Sequence, residues 1–294
     1  MKVLDSENNF LAISEPELCS LEQSRFVIQQ VPYEYTSSYH SGSALGPQAI
    51  VDASHYVEFY DEVLDKETYK SCGICTLAPI EFGDRVDAAA IDLIEEHTVQ
   101  LLNLNKTVVS FGAEHTVTLG FVKAYQKKFP DLCVLQIDAH SDLRLEYHGN
   151  PYSHASVMAR VHDLNIPITQ VGIRAQCKQE SDLIQSSDRI HTFYAHEVVG
   201  KENWIEKVVN TLGDNVYITI DADGFDPSVV PNVGTAEPGG LSWYEVVDLM
   251  EAVCQKRNVI GFDIVEVAPI KENTLSEFTL AKLAYRIMGF ITGR

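Results

Sequence analysis

From about residue 85 onward the chain alternates short, unbroken runs of β-branched and aliphatic residues with longer stretches of helical periodicity. The apolar runs are Thr107–Phe111, Leu132–Ile137, Ile168–Ile173, Arg189–Tyr194, Asn215–Ile220 and Val259–Val267. Continuous Val/Ile/Leu runs of this length are what parallel strands buried on both faces require. Between them the spacing predicts helices over Val86–Leu104, Thr116–Lys128, Ser153–Leu164, Lys178–Ser187, Lys201–Leu212, Ser242–Lys256 and Thr274–Ile291. In the second of these, Phe121 and Ala124 recur at helical spacing while Lys123, Lys127 and Lys128 are left for solvent. This alternation implies an α/β fold built on an open, mostly parallel sheet. Ligands of such sheets bind beyond the carboxyl ends of the strands.

No linker, low-complexity tract or internal repeat breaks the pattern, so a single domain over residues 1–294 is expected. The first forty residues or so are less regular. Ser37 to Ser43 reads as a loop, and a short helix is expected to begin at Pro47. Lys and Arg number 22 against 42 Asp and Glu, a formal net charge of -20. That balance argues against nucleic acid or an anionic membrane as partner, since both need a basic surface. It suits a small cationic substrate or bound cations. The N-terminal residues are acidic where a signal peptide would be apolar, and no apolar run is long enough to span a bilayer, so a cytoplasmic location is expected. Six cysteines are too sparse for a disulfide scaffold. Cys133 and Cys254 read as small core residues. Cys72 and Cys75 have the spacing of a redox or zinc pair but no accompanying Cys/His pair, and read as ordinary thiols in a loop.

The chemistry concentrates at strand ends. After Val134-Leu-Gln-Ile come Asp138, His140 and Asp142, at alternate positions. In an extended chain alternate side chains share a face, so these three converge. Asp221 and Asp223 follow a second apolar strand in the same way, and His115 lies just beyond a third, behind a glycine at position 112 that permits a tight turn. One Asp at a strand end is ordinarily a helix cap, and one His is ordinarily structural. Glu114 and Asp226 are read that way, as exposed structural acids, Asp226-Pro227 being a good turn starter. Four aspartates and two histidines at one end of neighbouring strands are different: without a cation they would repel or desolvate one another. The set is oxygen-rich and free of thiolate, which favours Mn²⁺ or a neighbouring first-row ion over structural zinc. Six ligands exceed what one catalytic ion with open positions needs. They suit two ions bridged by shared carboxylates, an arrangement that turns water into a nucleophile near neutral pH.

Gly112-Ala-Glu-His115, Asp138-Ala-His-Ser-Asp142 and Asp221-Ala-Asp-Gly-Phe-Asp226-Pro227 resemble the signatures of the ureohydrolase family, which includes arginase and agmatinase. Gly234-Thr-Ala-Glu-Pro-Gly-Gly240-Leu241 and Gly261-Phe-Asp-Ile-Val-Glu266-Val-Ala-Pro269 extend the likeness, which runs from about residue 40 to the C-terminus. Gly112-Ala departs from the commoner double-glycine form but spares the histidine. The resemblance implies a three-layer α/β/α fold around a central eight-stranded sheet, two Mn²⁺ per chain, and a homo-trimer or homo-hexamer. Carried over motif by motif, His115, Asp138, Asp142 and Asp221 would hold one ion. Asp138, His140, Asp221 and Asp223 would hold the other, with Asp138 and Asp221 bridging. Asp142 would also orient the bridging hydroxide, Glu266 would bind the guanidinium, and His154 in Tyr152-Ser-His154 would shuttle protons.

Those roles make chemical sense. A guanidinium is delocalised and cationic at physiological pH, hence a poor electrophile. Its hydrolysis needs a concentrated nucleophile, a carboxylate to fix the planar cation and an acid for the departing amine. The segment Leu143–Ser153 is expected to line the mouth that reads the far end of the substrate, and it is similar to agmatinase sequences. Agmatine, cleaved to putrescine and urea, is therefore the expected substrate, with Glu146 favouring its ammonium. Arg144, if it faces the site, would favour a carboxylate tail, as in a guanidino-acid hydrolase. Arginase would use the same centre with a different rim. A single-zinc, deacetylase-like amidohydrolase or a non-catalytic regulator are more distant alternatives, disfavoured by the complete ligand set.

Overall fold

A computed structural model describes residues 1–293. Eight strands form one sheet: β1 Phe26–Val31, β2 Ile74–Thr76, β3 Thr107–Gly112, β4 Cys133–Ile137, β5 Ile168–Ile173, β6 Ile190–Tyr194, β7 Asn215–Asp221 and β8 Asn258–Val265. Every pairing is parallel, and the order across the sheet is β2-β1-β3-β8-β7-β4-β5-β6. The helices are α1 Gly46–Ser54, α2 Thr68–Cys72, α3 Ala88–Asn103, α4 Thr118–Lys128, α5 Val157–Asp163, α6 Lys178–Ser186, α7 Ala195–Val198, α8 Trp204–Thr211, α9 Trp243–Lys256 and α10 Leu275–Thr292. Among the described residues no helix is long and apolar enough to cross a membrane.

Alternate strand residues feed two hydrophobic layers. Ile28, Phe111, Ile137, Ile220 and Ile264 point to the side covered by α1, α8, α9 and α10. Val27, Val108, Val134, Ile168 and Tyr217 point to the side covered by α3, α4 and α5. Each fully buried Val or Ile contributes about 1.5–3 kcal/mol. Local signals agree with the layers. Ser242 and Glu245 form a reciprocal capping box at the start of α9. In α4, Gly120 sits where a Cβ would come within 2.7 Å of Ile94 on α3, so the two helices pack closer than any larger residue would allow.

The expected strands and helices are present, and α1 begins one residue before Pro47. The differences have physical causes. β1 carries Gln29 and Gln30, which interrupt its apolar pattern, yet both are buried. Gln29 Nε2 donates to Thr98 and Ser110 hydroxyls, and Gln30 Nε2 to the Leu77 carbonyl. β2 is only three residues long, and Cys75 lies within it while Cys72 closes α2, so neither is a loop thiol. The helices expected from residues 116 and 153 open with 3₁₀ turns, His115–Val117 and His154–Ser156, that carry each histidine into the space above the sheet.

Candidate metal centre

In the sheet β3, β8, β7 and β4 are consecutive neighbours. Their carboxyl ends deliver, in that order, His115, Glu266, the pair Asp221 and Asp223, and the trio Asp138, His140 and Asp142. Segments far apart in sequence thus face one another across a few strand widths. The approach is close at Gly224, where a Cβ would stand 2.8 Å from the Asp138 backbone nitrogen. Only glycine lets the Asp221–Asp223 turn settle against the Asp138 segment.

His115, Asp138, Asp142, Asp221 and Asp223 are buried, and His140 keeps a partly exposed edge. His115 Nδ1 lies 3.1 Å from Asp138 Oδ2, 3.1 Å from Asp142 Oδ2 and 3.3 Å from Asp221 Oδ2. His140 Nδ1 lies 2.9 Å from Asp223 Oδ2 and 3.7 Å from Asp138 Oδ1. Two groups have ligand atoms close enough for one ion, His115–Asp138–Asp142 and Asp138–His140–Asp223, and they share Asp138. Asp221 stands beside the first.

The backbone presents these groups firmly. Asp138 Oδ1 accepts the His140 N–H, Asp221 Oδ1 the Asp223 N–H, and Asp223 Oδ1 the Ala139 N–H. Asp221 and Asp223 thus spend one oxygen on the fold and turn the other toward an imidazole, while Asp138 Oδ2, which faces His115, also accepts from Gln136 Nε2 at 2.7 Å. His115 Nε2 is 2.9 Å from the Thr219 hydroxyl, which donates its own proton to Asp263 Oδ1 at 2.7 Å. Thr219 can then only accept, so Nε2 carries a proton and, in the neutral imidazole, Nδ1 is the free lone pair. That Nδ1 is buried and has no hydrogen-bond partner, although three carboxylate oxygens surround it. Something positive must sit between that nitrogen and the oxygens: burial disfavours a charged imidazole, but Asp138, Asp142 and Asp221 outweigh it and raise His115 well above its ordinary value, and a bound metal cation would take the place of that proton.

The electrostatics say the same. Burial, with Asp142 and Asp223 alongside, pushes the Asp138 carboxyl up to about 7. Burial, with Asp223 and Asp138, pushes Asp221 well above the carboxylate range. Divalent charge at this point would relieve both. Asp223 is the exception: burial opposes its ionisation, but His140 overcomes that and lowers it to about 2.

A cavity of about 480 Å³ opens above the cluster, its wall including Ser38, Arg144, Tyr147, His154, Glu237 and Glu266. Glu266 Oε1 accepts the His115 N–H at 2.6 Å. Its remaining face reaches the cavity, yet desolvation, with Glu114 nearby, pushes its carboxyl well above the usual range. Asp142 and Glu266 both have positive φ, 53° and 64°, a conformation non-glycine residues rarely hold. Arg144 lies on the cavity wall with its guanidinium 5.3 Å from the Tyr147 ring centroid. Glu146 is exposed and does not line the cavity.

Asp226 is the turn residue it reads as, accepting from Ser228, Gly239 and Gly240 N–H groups. Glu114 corrects its reading as an exposed acid: it is completely buried and clamps the 34–37 loop. Thr219 and Asp263 were overlooked, although a polar residue inside an apolar strand, as each is in β7 and β8, is itself a signal.

The profile of the arginase family matches residues 24–289. The chain is 39% identical over 279 residues to an N(1)-aminopropylagmatine ureohydrolase of Synechocystis sp., covering 93% of this chain and 91% of that one. It is 36% identical over 262 residues to an agmatinase of Bacillus cereus, covering 87% of each. The crystal structure of the agmatine ureohydrolase of Thermoplasma volcanium superposes with a TM-score of 0.82 at 32% identity, covering 93% of this chain and 92% of that one. An arginase of Medicago truncatula shares the fold, with a TM-score of 0.78 at 23% identity over 92% of this chain and 88% of its own. A parallel eight-stranded sheet with acids and histidines gathered at its carboxyl edge, and relatives matched over nearly the whole chain, make this protein a member of the arginase family.

Proposed function

We propose that this chain is a two-metal ureohydrolase that cleaves a cationic guanidino amine, with agmatine as substrate and putrescine and urea as products. The observation that carries the reading is the buried His115 Nδ1 amid three carboxylates from two separate segments, two of which, Asp142 and Asp221, line a cavity that also holds Glu266. His115, Asp138, Asp142 and Asp221 would hold one ion, and Asp138, His140, Asp221 and Asp223 the other. The hard, oxygen-rich donor set favours Mn²⁺. When bound, the two ions supply a water acidic enough to be a nucleophile near neutral pH.

The chain's own residues supply the rest. Glu266, anchored by the His115 N–H, offers a carboxylate edge to the planar guanidinium. Asp142, fixed by its unusual backbone, orients the attacking water. Attack at the guanidinium carbon and cleavage of its bond to the alkyl-bearing nitrogen yield urea, and His154 on the cavity wall hands the departing amine a proton.

A second reading, N(1)-aminopropylagmatine, is favoured by the relatives so named in Synechocystis and Thermus thermophilus. Glu237 on the wall suits an ammonium, whereas Arg144 suits a carboxylate tail. The test is urea release by the Mn²⁺-loaded protein from agmatine, N(1)-aminopropylagmatine, L-arginine and 4-guanidinobutyrate. An agmatine preference supports the first reading and an aminopropylagmatine preference the second. A preference for either acid transfers specificity to Arg144, and no urea from any of them refutes the substrate class. A cytoplasmic location accords with six free cysteines. A homo-trimer or homo-hexamer would cover the exposed Leu45, Tyr56 and Ile270, and light scattering would give its size.

A further inference from the structure

Glu114 is adjacent to His115 in sequence, but its side chain turns away from the carboxylate cluster. Its Oε1 accepts the backbone N–H groups of Tyr35 at 2.6 Å, of Thr36, and of Ser37 at 2.7 Å. Its Oε2 accepts the Thr36 hydroxyl at 2.8 Å. Three consecutive N–H groups converging on one carboxylate oxygen pin this loop to the sheet.

The consequence lies one bond further on. With its proton committed to Glu114, the Thr36 hydroxyl has only lone pairs to offer other neighbours. Both neighbours belong to His154: its backbone N–H at 3.1 Å and its ring Nδ1 at 3.0 Å. An acceptor at that distance requires Nδ1 to carry the ring proton. In the neutral imidazole Nε2 is then the basic nitrogen, and it stands 3.4 Å from the hydroxyl of Ser38, a residue of the cavity wall. The Tyr147 ring, edge-on to the imidazole at 5.9 Å, flanks it.

We propose that Thr36, held by Glu114, is a positioning residue that fixes the tautomer and ring orientation of His154, so that Nε2 exchanges protons within the cavity. The inference rests on the reading of His154 as the proton carrier. Thr36 itself touches neither substrate nor metal ligand. It acts through the imidazole, as the third member of other acid–base relays does.

The test compares Thr36→Val, which keeps the shape but removes the acceptor, with Thr36→Ser, which keeps the acceptor. Both are made in the wild-type chain and in His154→Ala, with urea release from agmatine measured and metal content verified. The loop stays anchored in the Val variant, because Glu114 still receives the three backbone N–H groups. Thr36→Val should lower kcat about 10- to 100-fold, leave KM within about twofold and bind the same metal, because general acid–base catalysis is lost while substrate binding is not. Thr36→Ser should restore kcat. In the His154→Ala background Thr36→Val should change kcat by less than about twofold, the signature of two residues acting as a unit. An undiminished kcat in Thr36→Val, or an equal loss with and without His154, overturns the positioning role while leaving His154 intact as proton carrier. Full activity in His154→Ala overturns both.

Discussion

Replacing Thr219 by valine tests the inference that His115 is presented to a metal through an ordered relay. In the wild-type chain the His115 Nε2–H meets the Thr219 oxygen at 2.9 Å, and Thr219 donates to Asp263 Oδ1 at 2.7 Å. Valine keeps the branched shape that fills this position in β7. Asp263 keeps two other donors, the Tyr217 hydroxyl at 2.8 Å and the Thr118 hydroxyl at 3.1 Å, so the buried acid is not stranded. What disappears is the acceptor that puts the ring proton on Nε2 and aims Nδ1 at the carboxylates. Loss of such an outer partner costs about 10–100-fold in metal affinity, or about 1.4–2.7 kcal/mol. The assay is competition between the metal-free protein and a chelating dye for Mn²⁺, fitted for two sites. Only the site containing His115 should weaken, while the site containing His140, which has no contact with Thr219, should keep its affinity. Thr219→Ser should bind like wild type. Unchanged binding at both sites in Thr219→Val, or equal weakening of both, would refute the relay and with it the assignment of the His115 tautomer.

Other perturbations probe separate parts of the molecule. Glu266→Gln keeps an acceptor for the His115 N–H but removes the charge proposed to meet the guanidinium. A lost charge-assisted bond of about 1.5–3 kcal/mol should lower kcat/KM roughly 10- to 150-fold at constant metal content, and unchanged kinetics would remove Glu266 from the substrate site. Burial raises the Cys72 and Cys75 thiols from 9.0 to about 11, so at pH 8 only about one molecule in a thousand is thiolate. Mass spectrometry after brief iodoacetamide treatment of native protein should find the half-buried Cys177 labelled and these two untouched; early labelling of Cys72 or Cys75 would contradict their burial. Removing metal with a chelator should lower the melting temperature, because ions that bind only the folded chain add about 4 kcal/mol at a thousandfold excess over Kd. An unmoved melting point with the metal verified absent would count against a metal centre here.

How much of this was legible from residues alone depends on whether the relevant geometry is periodic. Asp138, His140 and Asp142 alternate along one short segment, and alternation is the one rule by which an extended chain declares a shared face. Asp221 and Asp223 obey it too. The apolar runs likewise announced six of the eight strands, and the two that escaped were a strand of three residues and one with paired glutamines whose partners lie in distant segments. Non-periodic features were harder. Glu114 and a solvated acid look alike until the loop carrying Tyr35, Thr36 and Ser37 is seen folded over it. Whether Arg144 or Glu146 faced the cavity had no answer in a segment without regular structure, and it is Arg144 that does. Glu266 was recognisable only through its family motif, since a lone acid after an apolar strand has no direction of its own.

The strand order explains why such separated residues can form one site, and the backbone explains why the site keeps its shape. His115 and Glu266, separated by 151 positions, meet at 2.6 Å because β8 inserts between β3 and β7. A centre assembled this way exists only when both ends of the sheet sequence are in place, so no half of the chain can hold it alone. Asp142 and Glu266 each sit at positive φ, at a cost of about 1–3 kcal/mol apiece, and such strain persists only where the surroundings over-determine it. They do. The Asp142 carbonyl accepts the N–H groups of Met158 and Ala159 in the first turn of α5, and the next N–H, of Leu143, is taken by the buried Glu180. Glu266 donates its N–H to Ala113 at 2.7 Å while its carboxylate accepts from His115, so main chain and side chain are both tied to the turn after β3. Of the non-glycine residues at positive φ, these two line the cavity, and their direction matters most to the proposed reaction, one toward the water and one toward the guanidinium. Relaxing either backbone would break bonds to a neighbouring element before it moved the carboxylate, and this coupling makes the cavity floor rigid.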